Sequence, residues 1–127
     1  MKILVSGKVQ GIVLKSNDPI NFLGTVDKKT GIISDKNHEL FDKSIKDHIL
    51  VFPNGVGSSV GAYTIYSIKS NNAAPLAMIC QKADLTVATG CALANIPLVI
   101  INDEFSSLQT GQKISLNTES SNPITLL

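Results

Sequence analysis

Apolar residues fall along this chain in short runs rather than long amphipathic stripes. Residues 3–16 alternate and are rich in β-branched side chains (Ile3, Val5, Val9, Ile12, Val13), with Gly7 and Gly11 interrupting. That pattern predicts one or two strands, bulged or bent at a glycine. Asn17-Asp-Pro19 reads as a turn. A short apolar stretch around Gly24 leads into Asp27-Lys-Lys-Thr-Gly31, a hairpin-type loop closing on glycine, and Ile32-Ile33 resumes a strand. Residues 34–47 are the most polar, with His38, Asp35, Lys36, Glu39, Asp42, Lys43 and Lys46, and His48 just beyond. They predict an exposed loop holding a turn of helix.

The second half is more apolar. Ile49-Leu-Val-Phe52 reads as a buried strand ended by Pro53 and Asn54. Gly55, Val56 and Gly57 form a loop, and a helix is expected over residues 58–70, with Ser58 or Ser59 as N-cap and Asn71-Asn72 as the stop. Residues 75–80 and 96–101 are further buried strands. The small-residue stretch 83–94 is expected to be partly helical and broken near Thr89-Gly90. Residues 102–107 connect, Thr110-Gly-Gln112 turns, and strands at 113–116 and 124–127 close the chain. No repeat or linker divides it. Strand-rich ends around a strand–helix–strand–helix–strand middle predict an α/β domain, a β-rich layer around a small βαβ core, spanning residues 1–127 as one domain.

Composition narrows the function. The chain has 127 residues, the size of one domain. At 43% hydrophobic and 17% charged residues it is apolar for a small soluble domain, which points to surface covered by a partner. The net charge of +1 gives no pull towards nucleic acid or anionic membrane, and the lack of Trp argues against base stacking. No window reaches the roughly 18 apolar residues of a spanning helix. Met1-Lys-Ile-Leu-Val5 is too short for a signal peptide and has no small-residue cleavage site, so a cytoplasmic location is expected. Cys80 and Cys91 form no disulfide framework and fall short of a structural zinc's four ligands, so no metal site is expected here.

The candidate chemistry sits in the glycine loop. A strand, a glycine loop and a helix N-terminus make an anion site, because free N–H groups and the helix dipole point at one spot. Gly55-x-Gly57-x-x-x-Gly61 invites comparison with a dinucleotide fingerprint, with Asp84 as its acidic residue. The spacing departs from that fingerprint, and the chain is short for a doubly wound sheet. A P-loop is excluded, since no Gly-Lys-Ser/Thr follows. From the loop alone two readings stay open: Ser58 as a helix cap, or a stand-alone anion- or nucleotide-binding module without catalysis. Elsewhere the plain readings are favoured. Cys80 and Cys91 pack, His38 and His48 are solvated, Asp27 is an Asx-turn residue, and Lys36, Lys43 and Lys46 form a solvated face.

The whole chain adds a resemblance. Asn21-Phe-Leu-Gly-Thr-Val-Asp27, Thr30-Gly-Ile-Ile33, Asp35 and His38, residues 49–63, Asn72-Ala-Ala-Pro75 and Ile96-Pro-Leu-Val99 together resemble, in order, the aconitase X swivel-domain family over about residues 5–116. The resemblance implies a swivelling β/β/α domain that docks on a large subunit carrying an iron–sulfur cluster and most substrate ligands. It implies a hydro-lyase acting on a small phosphorylated hydroxy acid: dehydration of (R)-5-phosphomevalonate to trans-anhydromevalonate 5-phosphate in archaeal isoprenoid biosynthesis by the mevalonate pathway. Related swivel domains serve other aconitase X-type dehydratases. The family's proton-abstracting serine falls on Ser58. Gly55, Gly57 and Ser59 would contact substrate, with Ser59 as the alternative base or as a donor to Ser58. The family usually has Arg or Lys where this chain has Val56, and Glu39 and Asp42 replace Pro and Gly. A serine hydroxyl is too weak an acid to ionise in water. Free N–H groups around residues 57–59 would stabilise its alkoxide once a partner excludes solvent.

Overall fold

The alternation near the N-terminus resolves into two strands. In the computed structural model, which describes residues 1–127, these are β1 (Lys2–Val5) and β2 (Lys8–Lys15). They are followed by β3 (Ile49–Phe52), β4 (Ala77–Cys80), β5 (Leu98–Ile100), β6 (Lys113–Asn117) and β7 (Ile124–Leu126). Helices α1 (Phe22–Thr25), α2 (Gly61–Ser70) and α3 (Leu85–Ala94) lie between strands, and a 3-10 helix covers Asp103–Ser107. The seven strands form one curled sheet in the order β1-β5-β4-β3-β2-β6-β7. β2, β3, β4 and β5 run parallel, which gives the βαβ core expected from the sequence. β1 joins antiparallel on β5, with a register shift between Ile3 and Val5. β6 and β7 add antiparallel on the other side.

The central strands are buried on both faces, as the uninterrupted runs require. Every residue of β3 and β4 is inaccessible to solvent. Alternate side chains face opposite ways. Leu14, Leu50, Phe52, Met78, Cys80 and Leu98 pack under the helices with Phe22, Ile65, Ile68, Val87 and Cys91. Val13, Ile49, Val51, Ala77, Ile79 and Val99 pack under Phe105, Leu108, Ile114 and Leu116, so the curl of the sheet closes a second core. Each fully buried aliphatic or aromatic side chain stabilises the fold by about 1.5–3 kcal/mol. Phe22 meets Phe52 edge to face at 5.9 Å between centroids and adds about 1 kcal/mol.

Three local expectations are corrected. The first third is not dominated by strands: residues 20–47 hold α1, turns and isolated bridges such as Val26 with Ile33. The polar segment 34–47 is no fully exposed loop, because Leu40 and Ile45 are buried in the main core and anchor it. His38 is also committed. Its Nδ1 accepts from the Leu40 amide at 3.0 Å, so its Nε2–H donates to the Pro19 carbonyl at 3.0 Å. Asp27 does close an Asx turn: the amides of Lys29 and Thr30 donate to Oδ1 and hold its carboxyl below the usual value.

The third correction concerns α3, which is continuous through Thr89 and Gly90. Gly90 survives there because α2 lies against it: a Cβ at this position would sit 2.7 Å from Ile65 Cδ1 and 2.9 Å from Ile65 Cβ. The second of these atoms is fixed to the backbone and cannot swing away. Gly90→Ala should therefore destabilise the protein. Overpacking of about 1–3 kcal/mol outweighs the roughly 1 kcal/mol gain in helix propensity. Thermal unfolding should show a midpoint lower by a few degrees; an unchanged or raised midpoint would mean that the two helices can separate freely.

Candidate active site

The site is assembled at the C-terminal edge of the parallel strands, where α/β sheets bind ligands. β3 ends in Phe52, and the carbonyl of Pro53 accepts the amides of Gln81 and Lys82, which ties the loop after β3 to the loop after β4. Ile20 holds the other side: its amide donates to Asn54 O, and its carbonyl accepts from Val56 N. Between these anchors the backbone turns at Gly57, whose φ is +96°. A side chain there would be strained by that backbone. It would also strike Asn21, since a Cβ would lie 2.6 Å from Asn21 Oδ1. Asn21 is held in turn by the Gly24 amide, which donates to its Oδ1 at 3.1 Å.

Ser58 does not cap α2 in the expected way, and the helix begins at Gly61 rather than at residue 58. Residues 58–60 form a tighter turn. The amides of Gly61, Ala62 and Tyr63 donate to the carbonyls of Ser58, Ser59 and Val60, one residue short of helical spacing. The Val60 amide donates to Ser58 Oγ at 3.2 Å. The amides of Gly57, Ser58 and Ser59 have no partner within the chain. The unpaired N–H groups foreseen at the helix N-terminus therefore lie one turn upstream of it, around the serine. Ser58 and Ser59 are both exposed. Val56 points outward, 45% exposed, so the loop itself carries no cation.

α3 supports this loop from below, through residues that sequence reasoning did not single out as its supports. Thr86 Oγ1 donates to Ser58 O at 3.4 Å, and Thr86 Cγ2 would meet a Cβ on Gly61 at 3.0 Å. Asp84 and Val87 enclose Gly55, where a Cβ would lie 2.8 Å from Asp84 Oδ1 and 2.7 Å from Val87 Cγ2. Asp84 thus faces the glycine backbone from the start of α3 and does not take the ribose-binding place of a dinucleotide fold. Asn21 was legible in principle as an N-cap before Phe22-Leu-Gly; Thr86 had no sequence signal.

The remaining candidates lie elsewhere. Cys80 and Cys91 are buried and free. Burial, and secondarily the Asp84 charge, pushes the Cys80 thiol up to about 12; burial likewise raises that of Cys91. His48 bonds the Lys46 carbonyl through Nδ1. No three His, Cys, Asp or Glu side chains converge on a point. The largest cavity, about 420 Å³, opens at the opposite edge of the sheet near Lys8, Asn72 and Asn95, away from the serines.

Beside Ser59 the surface is apolar. Val60 and Tyr63 from the α2 side and Leu85 and Leu93 from α3 line a shallow groove with side chains 50%, 68%, 75% and 56% exposed. α3 carries no charged residue, and a helix apolar all round is normally covered.

Residues 1–125 match the family model described as "Aconitase X swivel domain". The chain belongs to the aconitase X swivel-domain family. It is 45% identical over 117 residues to the phosphomevalonate dehydratase small subunit of Thermococcus kodakarensis, covering 92% of this chain and 87% of the relative. The corresponding subunit of Methanosarcina acetivorans is 45% identical over 113 residues, covering 87% and 78%. Among solved structures, the holo-form crystal structure of Thermococcus kodakaraensis aconitase X superposes with a TM-score of 0.93 at 43% identity, covering 99% of this chain and 95% of that one. A solution NMR structure of a UPF0107 protein gives 0.86 at 35% identity, covering 99% and 96%. The swivel fold expected from the resemblance is thereby shown, helices on one face of a curled sheet included.

Gly57 is the position on which this aconitase X-type loop turns. Gly57→Ala should cost about 1–3 kcal/mol of local strain and displace Asn21. Amide resonances of residues 21–24 and 55–60 should move while those of β3 and β4 stay; an undisturbed loop would show that Asn21 yields without cost.

Proposed function

We propose that this chain is the small subunit of a dehydratase that converts (R)-5-phosphomevalonate to trans-anhydromevalonate 5-phosphate, with Ser58 as the base. The relatives named above, matched over 92% and 87% of this chain, support the small-subunit role. On this reading residues 1–127 are one swivel domain, cytoplasmic, with a large subunit and a small phosphorylated hydroxy acid as partners, and neither nucleic acid nor membrane among them. No helix is long and apolar enough to cross a membrane. The iron–sulfur cluster belongs to the large subunit, and expulsion of hydroxide is that subunit's task.

The observation that carries the role of Ser58 is its setting. One amide already donates to Oγ, and three neighbouring amides are unpaired. In water these donors are solvated and the hydroxyl stays neutral. In a closed, dry site they hold negative charge on Oγ without reorganising. The alkoxide takes the carbon-bound proton and becomes a hydroxyl. The C–H electron pair becomes the new double bond, the hydroxyl on the adjacent carbon leaves on the partner's side, and the proton taken by Ser58 passes to that hydroxide, so that water departs and the alkoxide is restored. Gly55 and Gly57 let substrate approach the backbone, and Ser59, whose hydroxyl has no partner in the chain, donates to substrate or to Ser58. With Val56 in the loop, the substrate phosphate is met by the large subunit.

The complex co-expressed with its large subunit and purified without oxygen provides the test. Ser58→Ala should lower turnover of 5-phosphomevalonate by roughly 10²–10⁴-fold and leave assembly intact. Activity within a few-fold of wild type would overturn the role of Ser58.

The groove of Val60, Tyr63, Leu85 and Leu93 is the surface through which the large subunit shuts out water, because it is continuous with Ser59 and free of charge. Leu85→Glu would place an unpaired charge in a dry interface. Co-purification should then fail or the dissociation constant rise more than about tenfold, in line with loss of an interface anchor. Unchanged assembly would move the interface elsewhere.

A further inference from the structure

Asp84 is the single acidic residue between Asp47 and Asp103. It stands at the N-cap position of α3, yet its side chain caps nothing. Oδ1 is shut off from solvent and has no hydrogen-bond partner. A buried acceptor left unpaired is unfavourable to folding and calls for a reason. Its neighbours supply one. Oδ1 presses on the backbone of Gly55, three peptide units before Ser58. Those units place the two Cα atoms at most about 11 Å apart. Two residues beyond Asp84, Thr86 holds the Ser58 carbonyl.

We infer that Asp84 is a positioning residue that sets the basicity of Ser58 by its charge; the inference rests on the Ser58 reading above. The carboxylate opposes the unpaired amides: they favour the alkoxide, and Asp84 raises its energy. The base that results is harder to form and stronger once formed. Burial, and secondarily the same charge, also raises the Cys80 thiol at the end of β4. Little else competes with it. α1 and residues 53–60 carry no ionisable side chain, and α3 has only the buried Cys91. α2 contributes the exposed Tyr63 and Tyr66, with Lys69 in its last turn, and Lys82 is exposed on the loop after β4.

The test is Asp84→Asn in the assembled enzyme, since asparagine keeps the shape that rests on Gly55 and removes the charge. The base-dependent limb of the kcat/KM profile should move to lower pH by on the order of one unit. The plateau should fall, because a weaker base takes the carbon proton more slowly. The thermal midpoint of the full chain should hold or rise as the orphaned charge is lost. A profile that superposes on wild type would overturn the inference and leave Asp84 a packing residue. Failure of the variant to fold or assemble would overturn it equally, by making the carboxylate a structural need. Ser58→Ala is measured in parallel. Activity in that variant brings down the serine reading itself; an inactive Ser58→Ala beside an unshifted Asp84→Asn profile brings down only this inference.

Discussion

Main chain packed closer than any side chain permits is the constraint from which the rest of this structure follows. Gly55 lies on Asp84 and Val87, Gly61 on Thr86, and Gly90 on Ile65. Each contact joins α3 to the segment running from the glycine loop into α2. Because α2 and α3 are themselves seated on one face of the sheet through Ile65, Ile68, Val87 and Cys91, the loop inherits the rigidity of the core. Ser58 is thus an exposed residue with a fixed address. That is an unusual combination for a surface serine, and it is what the role of base proposed for Ser58 requires, since pre-organised donors receive charge without rearrangement.

The parts that were legible in the sequence are those decided locally. Ile49–Phe52 came out with the expected bounds because an unbroken apolar run meets Pro53, and no tertiary contact can extend a strand past that point. The parallel core followed from the spacing of such runs. What failed was decided at a distance. Gly90 reads as a helix breaker until Ile65 is placed against it. The start of α2 was misplaced because Ser58 spends its hydroxyl on an amide two residues on, in a turn that imitates a cap. In residues 34–47 the two core anchors, Leu40 and Ile45, are too few and too irregularly spaced to register as a pattern. The site divides in the same way. Gly55, Gly57 and the two serines announce themselves as a motif, whereas Thr86 and Asp84 matter only because a crossover brings the start of α3 beneath the loop.

The groove beside the serines completes the logic of a half-site. Amides without partners are harmless while water reaches them and unfavourable when it does not. A surface that offers several of them beside uncovered leucine and tyrosine side chains is therefore stable in solution and incomplete in a complex. The same dehydration that makes the apolar contact favourable turns the amides into donors in search of an anion. Under the docking proposed above, association and activation draw on one change in solvent, and this chain supplies one wall of the cavity. The absence of a cation at Val56 fits that proposal, in which the large subunit meets the charge of the substrate.

The two sulfur atoms have a consequence of their own. Both thiols lie inside the sheet–helix layer, inaccessible to solvent, with Cys91 Sγ against Met78 Sδ and both pushed well above neutral titration. A thiol reacts as its thiolate and only where a reagent can reach it. The burial of both thiols should accordingly keep this chain silent to alkylating probes and mild oxidants for as long as it stays folded. In any assembly it enters, a sulfur that is labelled or lost belongs to its companion, and labelling of Cys80 or Cys91 is a direct count of molecules that have opened.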